Sequence, residues 1–198
     1  MIVLTIDQRH SRSSEDKVAE LIDRANSTVS HIRPFQRTAG DEVQAVLDNS
    51  LEAVRLAVML AASGDWSVGL GYGSVEEPLP SETRAGRGLA FEYAREAVER
   101  AKHSSGHLAV AGATGESERL EVELQLLSNI VAKRRSTAWE AGTLLDQGYT
   151  QAEAAEKLGI SQQAVSSRVA AALWFECQRL MEHAATALDE ELKKLEKE

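Results

Sequence analysis

Through the first 115 residues the apolar positions switch between a two-residue and a helical period; beyond them only the helical period remains. Ile2-Val3-Leu4-Thr5-Ile6 is a β-branched run ending at Asp7 and predicts a buried strand. Ser13 or Ser14, followed by Glu15 and Asp16, predicts a helix start, because a side-chain oxygen caps free N–H groups and acids suit the positive end of the helix dipole. Val18, Leu21, Ile22 and Ala25 then share one face. Apolar runs at 29–36 and 43–48 flank Arg37-Thr38-Ala39-Gly40-Asp41-Glu42 and predict a hairpin. A helix is expected from about Ser50 to Ala62, stopped by Ser63-Gly64-Asp65. Trp66 to Val75 reads as a strand on which Gly69, Gly71 and Gly73 bare one face to a neighbouring element or a ligand. After the polar loop 76–88, a helix over Leu89–Ala101 and a strand over His107–Ala113 complete the series. Hairpins and crossovers both occur, so the class is α+β, one sheet covered by helices.

From Glu116 the strand signals vanish. Leu120, Val122, Leu124, Leu126, Leu127, Ile130 and Val131 sit on one helix, and Ser136–Gln147 forms another with Gly148 as its stop. The expected domain boundary lies near Gly112–Gly115, dividing the chain into 1–114 and an all-α part, 115–198. Residues 150–173 read TQAEAAEKLGISQQAVSSRVAAAL. Thr150 with Glu153 is a capping box, Gly159 ends the first helix in a left-handed turn, and Ser161 caps the second. Small Ala155 allows close crossing, and Leu158, Ile160, Val165 and Val169 are spaced to pack the pair. The pattern is that of a helix-turn-helix, whose second helix enters the major groove, and it resembles that of sigma-factor region 4. Gln162, Gln163, Ser166, Ser167 and Arg168 are left off the packing face as candidates for DNA contact, with Thr150 and the phosphate-holding Lys133, Arg134 and Arg135. The plainer alternative is a helical hairpin that binds only protein. After Leu173 one long helix runs to the end, with Cys177, Met181, Ala184, Leu188 and Leu195 on a ~3.5-residue seam that is expected to pair two copies, the alternative being that it folds back on the N-terminal domain.

Charge sharpens this division. The net charge is −9, which argues against a protein that lives on phosphate attraction alone. Residues 1–125 carry 13 basic and 20 acidic side chains, whereas 126–181 carry 6 and 5, so nucleic-acid contact is to be sought in the second half. One cysteine, no bilayer-length apolar run and no leader-like start point to a cytoplasmic protein that does not engage membranes. The five histidines are scattered, and Gly112-Ala113-Thr114-Gly115-Glu116-Ser117 lacks the lysine of a phosphate loop.

In the first half, Asp7 ends the first strand and Asp41 and Glu42 lie in the hairpin turn. If these elements are neighbours the carboxylates converge, and such oxygen ligands suit Mg²⁺ carrying a phosphate, with Arg9, Arg12 and Arg37 as phosphate donors. The plainer alternative is that Asp41 and Glu42 are solvated turn residues. The segments TIDQRHSR, FQRTAGDEVQAVL, WSVGLGYGSV and GLAFEYAREAVERAK, in this order, resemble the SatD family of bacterial proteins over about residues 1–110. The layout is also similar to the ferredoxin-like palm of class III nucleotidyl cyclases and diguanylate cyclases. That resemblance implies Asp7 and Asp41, with Glu42, as metal ligands. It also implies an Asn and an Arg one turn apart on the helix after the long loop; here Glu92 stands at the Asn-like position and Arg95 comes one residue early. The expectation is therefore a homodimeric regulator that binds double-stranded DNA and senses a ligand, such as a nucleotide, or a partner. A Mg²⁺-dependent nucleotide-processing enzyme with a helical appendage is the alternative.

Overall fold

The structure, a computed structural model, describes residues 1–11 and 13–195. In chain order it forms β1 (Ile2–Gln8), α1 (Val18–Thr28), β2 (Arg33–Arg37), β3 (Glu42–Leu47), α2 (Ser50–Ser63), β4 (Trp66–Tyr72), α3 (Leu89–Ala101), β5 (Leu108–Gly112), α4 (Glu116–Ala132), α5 (Ser136–Asp146), α6 (Gln151–Leu158), α7 (Gln162–Ala171) and α8 (Trp174–Leu195). The class is α+β. The expected order of elements is the observed one, with three shifted ends, the first being β2, which begins at Arg33 rather than at residue 29. α1 starts at Val18 rather than beside Ser13 or Ser14, its first N–H accepted by Asp16 Oδ1 at 2.9 Å. β4 stops at Tyr72, before the chain turns to let Ala90 N–H bond the Ser74 carbonyl.

The five strands make one mixed sheet in the order β2-β3-β1-β4-β5, antiparallel except for the β4–β5 pair. Ile2, Leu4 and Ile6 of β1, with Val68 and Leu70 of β4, point to one face and bury themselves against α1, α2, α4 and α8. The other face meets α3. There Gly69 and Gly71 are required: a Cβ on Gly69 would lie 2.3 Å from the Val98 nitrogen, and one on Gly71 2.2 Å from that of Ala94. Ala90, Ala94, Ala97 and Ala101 supply the matching small face of the helix. What approaches the bare strand is thus α3, not a ligand. β4 runs parallel to both β3 and β5, and the chain steps the same way across the sheet to reach β4 and to leave it. Because α2 and α3 lie on opposite faces, these two crossovers have opposite hands, and one is of the uncommon left hand.

The expected boundary at 114/115 does not fall between two cores. Leu120, Leu124 and Leu127 of α4, and Cys177, Met181 and Leu188 of α8, join the sheet and α2 in a single cluster. Only α5, α6 and α7, with the first turn of α8, gather around a second cluster that includes Ala141, Ala154, Val165, Val169 and Trp174. The α8 seam expected to pair with a second copy is therefore buried within the chain. Its one acid, Glu191, is also buried, bonded by the Thr114 hydroxyl and the Lys194 ammonium, while Tyr72 Oη meets Thr114 Oγ1 at 3.1 Å. Among the described residues no helix is long and apolar enough to cross a membrane.

Candidate nucleic-acid interface

The α6–α7 pair is built by local signals that each serve one bond. Thr150 Oγ1 accepts the Glu153 N–H at 3.2 Å and the Glu153 carboxylate returns to the Thr150 N–H at 2.8 Å. Gly159 sits at φ 65, and Ser161 Oγ accepts the Ala164 N–H at 3.2 Å. Val165 and Val169 then face inward, which leaves Gln162, Gln163, Ser166 and Ser167 exposed on one outer surface. None of these four side chains has a partner among the described residues, so their donors and acceptors face water. Thr150 is different: its hydroxyl also donates to Glu153 Oε2 at 2.8 Å and is engaged in the cap.

Beside α7 lies a cleft of about 530 Å³ lined by Lys133, Arg134, Arg135, Thr137, Ser167 and Arg168. It opens at the start of α5, whose first N–H groups have no acceptor within their own helix and add partial positive charge. Lys133 and Arg135 are exposed and unpaired among the described residues. Arg134 is not a free cation. Its guanidinium lies 4.5 Å from the Trp174 ring centre and 5.5 Å from that of Trp139, and donates to the Ala172 carbonyl at 3.1 Å. The two indoles meet edge to face at 5.1 Å, and Trp174 packs on Gly142, where a Cβ would lie 2.3 Å from the ring. Arg134 thus pins α7, α5 and α8 together. Arg168 also turns inward, toward the Thr137 carbonyl at 3.5 Å and Glu140 at 3.6 Å, and forms the cleft wall rather than the outer face.

At the sheet, Asp7 and Glu42 are direct cross-strand partners, so the expected convergence of the first strand and the hairpin is met. Burial pushes the Asp7 carboxyl above its usual range against the pull of Lys102, with Asp41 and Glu42 adding to the rise. The nearby cation is Lys102, whose Nζ lies 3.1 Å from Asp7 Oδ2 and 2.8 Å from Glu99. Glu42 in turn accepts the Thr38 hydroxyl at 2.5 Å. These donors do not fit a Mg²⁺ site as arranged, since an ammonium already neutralises Asp7; among the described residues no three His, Cys, Asp or Glu side chains are disposed to hold a metal.

The arginines expected to hold phosphate are engaged elsewhere. Arg37 Nη2 contacts both oxygens of Asp16, at 2.8 and 2.7 Å, and Arg9 donates to the Gly64 carbonyl at 2.7 Å, capping α2. Arg12 lies outside the described residues. Sequence reasoning missed Lys102, which follows buried Val98 by one helical turn just past the end of α3. No family model matches the chain, and comparison with curated proteins and with solved structures finds no match either.

Proposed function

We propose that this chain is a DNA-binding regulator in which α6 and α7 act as a helix-turn-helix, α7 entering the major groove. The observation that carries the reading is the outer surface of α7, four amide and hydroxyl side chains that have no partner among the described residues, held beside a cleft that bears Lys133 and Arg135, both exposed and likewise unpaired among them. Amides and hydroxyls suit base edges, while the cations and the α5 start suit phosphate oxygens. Arg134 and Thr150 support the motif's shape and are not assigned to DNA.

The N-terminal part is read as a sensory domain for a ligand or partner. Its β1-α1-β2-β3-α2-β4 segment, antiparallel in the order β2-β3-β1-β4, supports a ferredoxin-like, palm-like arrangement and with it the likeness to the SatD family. The nucleotide-processing alternative has less to stand on, because Asp7, Arg9 and Arg37 are each satisfied by groups of the chain itself.

Retention on duplex DNA across a salt series tests the reading. Arg135→Ala removes an exposed cation whose side chain has no partner among the described residues, so binding should weaken and the salt slope should flatten by about one unit. No retention at low salt by a folded parent protein would contradict the proposal.

A further inference from the structure

Surface helices turn charged and polar residues outward, and a contiguous apolar stripe on one marks a contact. On α4, Val122 is 62% exposed and Leu126 54%, the two most exposed large apolar side chains among the described residues. They lie one turn apart. Ile130 extends the stripe, half-buried.

We propose that this outer face of α4 receives a second copy of the chain, the two α4 helices lying antiparallel about a two-fold axis. The charges at the ends of the stripe select this occupant. Glu118 and Lys133 are exposed on the same side of α4, and neither has an ion pair among the described residues. Their positions differ by four helical turns, about 22 Å along the axis. An antiparallel alignment centred between Gln125 and Leu126 sets Glu118 opposite the partner's Lys133, twice by symmetry, and packs Leu126 against the partner's Leu126. A parallel alignment sets acid against acid and base against base. Arg119 does not disturb the pattern, being tied to Glu116 at 3.1 Å and Glu123 at 3.0 Å. This pairing engages Lys133 with the partner's Glu118 and leaves Arg135 as the exposed cation of the cleft beside α7, so it does not depend on DNA binding; it replaces the α8 seam, which the chain buries itself.

Sedimentation or light scattering of the full chain over a concentration series tests it. The parent should tend to twice the 21.5 kDa chain mass. Leu126→Glu should leave a folded monomer, checked by its circular dichroism and melting. Glu118→Lys should weaken dimerisation about tenfold or more by placing like charges across the contact, and the combination Glu118→Lys with Lys133→Glu should restore it. A parent of single-chain mass at every concentration overturns the proposal, as does a dimer indifferent to these substitutions. Loss of DNA retention in a variant that still dimerises would bear on the DNA reading alone.

Discussion

At Gly71 the sheet and α3 approach so closely that a single added methyl carbon would lie 2.2 Å from backbone nitrogen. Backbone cannot step aside as a flexible side chain can, so Gly71→Ala should cost at least about 2 kcal/mol of stability. A urea melt monitored by tryptophan fluorescence measures this; an unchanged midpoint would mean that α3 sits less tightly than described. The glycine alternation in the sequence discloses a bare face but not what covers it. The answer was written in α3, where Ala90, Ala94, Ala97 and Ala101 recur at helical spacing. The carboxylate edge was legible in the same partial way. Asp7 and Glu42 do meet across two strands, yet the cation beside them arrives from residue 102, and a separation of that length is invisible to any local pattern.

The elements with chemical end signals are those whose limits could be read directly. Thr150, Gly159 and Ser161 each satisfy a bond at a helix end, and α6 and α7 begin and stop where those residues stand. α1 lacks a side-chain cap at its N-cap residue, Lys17, so no local signal marks where it starts. For α8 the seam correctly announced a buried face, but hydrophobic spacing is equally served by a partner copy or by the chain's own α2 and α4. Tertiary packing decided for the latter. Glu191, which interrupts that seam, fastens the end of α8 to the loop after β5. The Lys194 ammonium and then the Thr114 hydroxyl hold its carboxyl below the usual carboxylate range, outweighing burial. A depressed folded pKa contributes stability above the unfolded value, and that contribution disappears as pH falls through the folded value. Glu191→Gln should therefore lower stability at neutral pH by about 1 kcal/mol, and the deficit should close in acid. Thermal melts of parent and variant across the acid range check the sign, and a deficit that grows on acidification would contradict it.

At the scale of the whole molecule, one core joins the sheet, α2, α4 and α8, while α5 to α7 project as a second cluster around Trp174. Arg134 bridges the two through its stacking on Trp139 and Trp174. Under the proposed function, a change in the N-terminal core that shifts α4 or α8 would move α7 and so bias DNA binding. Pairing through α4 would set two such α7 helices about a two-fold axis and favour inverted half-sites. Base recognition by α7 is measured by selection of bound duplexes from a random pool by the parent protein and by the double variant Gln162→Ala, Gln163→Ala. The parent is expected to enrich a defined sequence. The variant should lose preference at particular base pairs, about 1–3 kcal/mol for each contact removed, while keeping the parent's salt slope. Enrichment of no sequence by the parent, or of the same sequence by both proteins, would contradict it.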